Sequence, residues 1–310
     1  MKTILKQTLL SLTCLIAAGV QIAKAQVNII ALHHEGTVTL CKQGIQDAIT
    51  QAVEGDTLYL SEGVYGGFTV DKSIAIIGSG MTTSVSYTVE VSGDFDNLYI
   101  SNMEINKITF SGRQDGMRMV QCRILGNCEF NNDADWDNFS NTEFTMCDID
   151  GSLKLGDDST NGLIVHNSWI KTVQNGGAYD GAAMFVNCCI QYVSTSSQDY
   201  NNQFVNSIFF QISSGLYYNC LYYQSASVPG LSDCWKANKP LFNTDFNSCT
   251  LSNEELIGAG YIGTDGNVVG ADGGATPFTL VSPILQVTEH NLEVDNTERK
   301  LRVSLTLGRK

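Results

Sequence analysis

The stretch NNDADWDN, residues 131–138, sets three carboxylates at alternate positions: Asp133, Asp135 and Asp137. Alternating acidic residues are how loops offer hard oxygen ligands to calcium, so these three are the candidate metal ligands and calcium the expected cation. The loop lacks the glycine turn and the distal glutamate of an EF-hand, and a merely solvated acidic loop is the competing reading. Trp136 stands among them. An exposed indole is a platform for the C–H faces of a sugar ring, which makes Trp136 the candidate glycan-binding residue. Elsewhere reactive residue types are sparse. His33-His34-Glu35 reads as a strand end, and Asp157-Asp158 in LGDDST is the one adjacent acidic pair in the repeats described below. Cys188-Cys189, within FVNCCIQ, is open to three readings: metal, redox chemistry or packing. With four histidines and no paired C-x-x-C motifs, the tetrahedral N/S set of a structural zinc site is not indicated. No catalytic set can be named.

The N-terminus places Lys2 and Lys6 ahead of an apolar run from Leu9 to Val20, followed by Ala23-Lys24-Ala25. This is the pattern of an export leader cut after Ala25. Ser11-Leu12-Thr13 before Cys14 is a poor lipobox, so the expected locations are periplasm, cell surface or medium, without a lipid anchor. No later stretch reaches the roughly 18 apolar residues of a membrane span. The chain carries 18 Lys and Arg against 32 Asp and Glu, a net charge of −14, and loss of the leader's three lysines deepens it. Such a surface repels nucleic acid and anionic membranes. It would also repel a polyanionic glycan unless a cation bridged the two. Ten cysteines less Cys14 leave an odd number, which argues against a disulfide scaffold.

One hexapeptide frame recurs: YISNMEI (99–105), MVQCRI (119–124), FTMCDI (144–149), VHNSWI (165–170), FVNCCI (185–190), FVNSIF (204–209) and YYNCLY (217–222). Most copies lie about twenty residues apart, the period of a solenoid. The third frame position runs Asn102, Gln121, Met146, Asn167, Asn187, Asn206, Asn219. The fourth is small or soft, as in Cys122, Cys147, Ser168 and Cys188, while the first and sixth are large and apolar. Alternation of this kind belongs to strands, with one set of residues facing inward. Cys188 thereby joins an inward Cys/Ser column and Cys189 points outward beside it, which makes packing the expected role of the pair.

These repeats resemble the right-handed parallel β-helix of secreted bacterial pectin-lyase-like proteins, with Asn at the tight turn between two strands of each coil. The resemblance implies amides that hydrogen-bond from rung to rung, as Asn ladders do. Residues 45–80, IQDAITQAVEGDTLYLSEGVYGGFTVDKSIAIIGSG, are similar to the family's entry segment. Ile45, Ala48, Ile49, Ala52 and Val53 fall on one helical face, expected to plug the open end of the first coil. The tail resembles the ending of such proteins, with strict alternation at Leu301, Val303, Leu305 and Leu307. The expected organisation is all-β: leader 1–25, N-terminal strand and cap helix 26–55, parallel β-helix 56–270, and a C-terminal β-hairpin tail 271–310 packed on the solenoid.

In this family polysaccharide lyases use an Arg or Lys base with calcium beside a uronate carboxylate, and glycoside hydrolases use paired aspartates. Two outward columns carry charge, Glu104, Arg123 and Asp148 in one and Arg118 and Glu143 in the other, but alternating signs on adjacent rungs also pair as a plain salt ladder. The family's catalytic stretches find no counterpart. The expectation is an exported, non-catalytic protein of the cell envelope or medium with a polysaccharide partner. The alternatives are a divergent calcium-dependent lyase or hydrolase acting on acidic polysaccharide, and a structural or adhesive surface protein. From the fourth copy onward the outward positions turn apolar (Trp169, Cys189, Ile208, Leu221). The tail hairpin, residues 283–307, is expected to fold back over Trp169, Ile208 and Leu221, failing which that face is open to a protein partner. If calcium binds Asp133, Asp135 and Asp137, millimolar calcium raises the melting temperature by mass action and a triple Asp→Asn variant loses the shift; an equal shift in both rejects the site.

Overall fold

The computed structural model describes residues 28–131, 139–156, 162–175, 183–194, 201–225, 230–280, 285–295 and 300–309. In each repeat the third frame residue takes a left-handed backbone conformation, with φ between 45° and 57° at Asn102, Gln121, Met146, Asn167, Asn187, Asn206 and Asn219. Asn tolerates this region better than other side chains because its short amide can bond locally. Gln121 and Met146 adopt it too, since the coils above and below impose it. The bend divides each frame into two short strands, and every strand pairs in parallel with its copy one coil away. Tyr99 lies opposite Arg118, Arg118 opposite Glu143, Glu143 opposite Ile164, and so on to Leu216 and Gly230. The chain is thus an all-β parallel solenoid.

Its interior is the first, fourth and sixth frame positions. Ile105, Ile124, Ile149, Ile170 and Ile190 are wholly buried in one column, and Phe185, Phe204 and Tyr217 stack in another with ring centroids 4.9 and 4.7 Å apart. The fourth position explains its own chemistry. Cys147 Sγ donates to the Met119 carbonyl at 3.6 Å and Cys188 Sγ to the Val165 carbonyl at 3.4 Å. Ser168 and Ser207 use their hydroxyls likewise, and accept from the backbone N–H of Cys147 and Cys188 at 3.0 Å. Past the first copy, where Met103 fills it, the site behind the left-handed bend holds a small side chain with one donor. All nine cysteines among the described residues are free thiols.

At the N-terminal end Ile30–His34 pairs antiparallel with both Thr37–Cys41 and Thr57–Leu60. Helix α1 (Ile45–Gln51) buries Ile45, Ala48 and Ile49 in the same core. Ala52 is buried as the periodicity predicts, but Val53 is half exposed because the helix has ended and the chain turns outward. Helix α2 (Asn253–Gly258) starts at a capping box in which Ser252 and Glu255 bond reciprocally. Among the described residues no helix is long and apolar enough to cross a membrane.

Two expectations change. The outward apolar residues Trp169, Cys189, Ile208 and Leu221 are indeed covered, but by residues 241–278. Leu241, Phe242, Phe246, Leu256, Val268, Val269 and Ala271 form a second core with them, with Phe246 and Phe242 edge-on to Trp169 at 5.4 and 5.8 Å. The hairpin itself forms, Leu285–Asp295 antiparallel to Lys300–Arg309, with Val287 opposite Leu307, Leu292 opposite Val303 and Val294 opposite Leu301. The asparagine amides also differ from expectation. Asn167 Nδ2 donates to the Ala271 and Gly273 carbonyls at 3.1 and 2.6 Å, Asn187 Nδ2 to Asp265 at 3.2 Å, and Asn206 exchanges bonds with Thr264. They reach outward to the returning segment, which offers two carbonyls, the Asp265 carboxylate and the Thr264 hydroxyl as acceptors.

Truncating a side chain from so dense a column leaves a cavity. Ile149→Ala or Ile170→Ala should cost about 2–5 kcal/mol in denaturant unfolding; a loss under about 0.5 kcal/mol would contradict the packing.

Candidate functional site

The face left uncovered by residues 241–278 is the outer surface of the earlier coils, and stacking fixes its charges. In one column Glu104, Arg123 and Asp148 occupy adjacent rungs. Arg123 Nη2 donates to Asp150 at 2.9 Å, and its Nε lies 3.3 Å from Asp148. Beside it, Glu129 is held between Lys107 at 2.5 Å and Lys154 at 2.6 Å, and also accepts from Asn127 at 2.9 Å. The Arg123 ladder was legible in the repeat frame. The Glu129 group was not, because Lys107 and Glu129 lie beyond the hexapeptide, past a register shift between Val85 and Thr88 on the neighbouring strand. The in-register pairing of Glu129 with Lys154 is the signal that a longer repeat alignment would have supplied.

These contacts set the titration of the carboxyls. Burial raises the Glu129 carboxyl, but the hydrogen bonds from Lys107, Lys154 and Asn127 outweigh it and hold it at about 2. Asp148 goes the other way. Burial first and Asp150 second push it up to about 6 against the pull of Arg123. Arg123 itself, partly buried, is held more firmly charged by Asp150 and Asp148, so it is a poor proton acceptor.

Next to this face runs a groove of about 520 Å³ lined by Asn97, Leu98, Tyr99, Asp115, Gly116, Arg118 and Asn141. It lies where a short parallel sheet (Phe95–Asp96, Gln114–Asp115, Phe139–Ser140) turns into the strands that begin at Tyr99, Arg118 and Glu143. Three left-handed residues make those turns, Asn97, Gly116 and Asn141, with φ of 59°, 71° and 49°. A Cβ on Gly116 would approach Asn97 Oδ1 to 2.8 Å, so glycine is needed there on both counts. Asp115 accepts from Ser140 Oγ and Asn141 Nδ2, each at 2.7 Å, and these bonds hold its carboxyl below the usual range. Arg118 is 65% exposed, with Glu143 as a loose partner at 3.8 Å. The groove therefore presents an aromatic ring, two amides, a fixed carboxylate and a guanidinium with spare donors, spaced along the axis at about 4.8 Å per rung.

The residues singled out by type and spacing distribute differently. Asp133, Asp135, Asp137 and Trp136 lie outside the described residues, as do Asp157 and Asp158; the chain after Trp136 re-enters at Phe139 and supplies Asn141 to the groove. His34 ends its strand as expected and bonds Asp56 through Nδ1 at 2.6 Å. Among the described residues no group of three His, Cys, Asp or Glu is gathered as metal ligands. No protein family, curated protein or solved structure matches this chain.

A folded-state value of about 6 for Asp148 means the native protein keeps a proton that the unfolded chain releases near pH 4. Stability should therefore fall as pH rises from about 4 to about 6. Asp148→Asn removes this slope and, because Arg123 keeps Asp150, should stabilise the protein at pH 7 by on the order of 1–2 kcal/mol. Thermal unfolding across that pH range reads the difference; parallel curves for the two proteins would show that Asp148 titrates normally.

Proposed function

We propose that this is an exported, non-catalytic β-solenoid protein of the cell envelope or medium that binds a polysaccharide along the groove of Asn97, Tyr99, Asp115, Arg118 and Asn141. The observation that carries the reading is the chemistry of that groove. It brings together a ring for a sugar face, amides and a carboxylate for hydroxyls, and an arginine fork for a carboxylate, on rungs about 4.8 Å apart. Arg118 is the one of these groups with charge to spare, and it suits an acidic sugar that the net charge of −14 would otherwise repel. Calcium at Asp133, Asp135 and Asp137 would serve the same end, and Trp136 would add a second ring.

A specific observation favours a second reading. Asp148, held at about 6 beside Asp150, has the titration of a general acid, as a divergent hydrolase of acidic polysaccharide would need. Against it, Arg123 ties both carboxylates. A structural or adhesive role draws on the half-buried outer positions Ile164, Met184, Val186 and Leu216, a face suited to a protein partner.

Affinity electrophoresis through gels of neutral and uronate-containing polysaccharides separates the three. Binding to a uronate polymer, weakened about tenfold or more by Tyr99→Ala or Arg118→Ala as loss of a charge-assisted bond predicts, with no new reducing ends or unsaturated uronate, supports the proposal. Product formation lost on Asp148→Asn favours the enzyme, and retardation by no glycan favours the adhesive role.

A further inference from the structure

We propose that Cys220 and Cys234 are a two-electron redox site, an adjacent-rung dithiol that closes to a disulfide on reaction with a small disulfide such as oxidised glutathione. The two residues follow equivalent left-handed turns, Asn219 and Asp233, with φ of 49° and 53°. Tyr218 pairs with Ser232 and Leu221 with Trp235, which sets Cys220 and Cys234 at the same level of neighbouring coils. Backbone bonds on either side fix that register, Asn219 N–H to the Ser232 carbonyl at 3.0 Å and Trp235 N–H to the Cys220 carbonyl at 2.9 Å. Both thiols face inward. Cys220 Sγ lies 3.3 Å from the Phe204 and Tyr218 carbonyl oxygens and Cys234 Sγ 3.3 Å from those of Tyr217 and Ser232, alternative acceptors for each thiol's single proton. A rung spacing of about 4.8 Å falls within the roughly 4.4–6.8 Å between Cα atoms that a disulfide spans.

Cys122 and Cys147 are stacked in the same way, yet both are wholly buried. What distinguishes Cys220 and Cys234 is their place at the end of the solenoid. The parallel strand that follows Cys234, Trp235–Lys236, closes the stack among the described residues, so Cys234 is only partly buried and no described rung beyond its coil holds it back from the small approach that bond formation needs. The hydrogen bond from Cys220 also lowers the Cys234 thiol, while burial keeps Cys220 well up. Roles follow from this asymmetry: Cys234 attacks and Cys220 resolves.

The Cys234 thiolate attacks one sulfur of the oxidant, whose S–S bond breaks; one glutathione departs as thiolate and is protonated by solvent. Cys220 gives its proton to water and attacks Cys234 Sγ, displacing the second glutathione thiolate. Two electrons pass from the dithiol to the oxidant, which ends as two thiols.

The test incubates the reduced, folded full chain with oxidised glutathione, quenches in acid, alkylates under denaturing conditions and maps peptides by mass. The expected product is a single disulfide joining Cys220 and Cys234, reversed by reductant, with Cys122 and Cys147 still alkylated. Cys220→Ser should stall with glutathione on Cys234, and Cys234→Ser should not react. Serine already occupies this column at Ser168 and Ser207, so either variant is compatible with the fold. Wild-type protein with both thiols fully alkylated, a link to any other cysteine, or glutathione bound in the Cys234→Ser variant at Cys220 would overturn the assignment.

Discussion

Parallel strands stacked in register place each residue directly over its counterpart one coil away, about 4.8 Å distant, and most of what this protein does with its side chains follows from that constraint. A buried column must repeat apolar residues of similar size, as Ile105 to Ile190 and Phe185 to Tyr217 do. An exposed column cannot repeat one sign of charge. Glu104, Arg123 and Asp148 alternate for this reason, and Glu129 draws Lys107 from one side and Lys154 from the other. The left-handed bend at the third frame position keeps the strands in phase. Its conformation is held at Gln121 and Met146 as firmly as at the asparagines, which identifies the ladder, rather than the residue, as what enforces it.

The same constraint makes a change of surface chemistry abrupt. Between Asp148 and Trp169, one rung apart, the outer column passes from charged to apolar, and stacking extends the apolar strip through Cys189, Ile208 and Leu221. The chain answers by returning over it with residues 241–278. Apolar contact supplies the driving force, and the amides of Asn167, Asn187 and Asn206 tie the returning segment down through the Ala271 and Gly273 carbonyls, the Asp265 carboxylate and Thr264. The fit is not complete, since Asn187 Oδ1 is buried without a partner. Asp148 lies at the boundary of this cover. Its raised titration is the electrostatic consequence of a carboxylate next to a surface that has lost its water.

Before that boundary the solenoid keeps its polar exterior, and there the groove of Tyr99, Asp115 and Arg118 opens. Asp115 and Arg118 differ in how far they are committed. The carboxylate is fixed by Ser140 and Asn141, whereas among the described residues the guanidinium is paired with the distant Glu143 alone. A rigid acceptor beside an arginine with unused donors is pre-organised for a ligand that carries both hydroxyls and a carboxylate.

The sequence by itself determined the repeat frame. The periodic Asn, Cys and Ile positions are local in the chain and report directly on strand alternation, so the inward columns, the inward role of Cys188 and the pairing of Arg123 with Asp148 could be read from spacing, while the bend at the asparagines was implied by the resemblance of the repeats to a parallel β-helix. It also established that an apolar exterior would need covering. Which segment does so was decided only in three dimensions, because residues 241–278 have no period and their fit depends on a surface assembled from four coils. The same holds for the groove. Asn97, Asp115 and Asn141 belong to no conspicuous motif and become neighbours only when three turns of different coils stack. Lys107, Glu129 and Lys154 lie beyond the hexapeptide frame and likewise became neighbours only when their strands stacked. Spacing reports which residues share a face; the register between coils, set by every backbone bond at once, decides which of them meet.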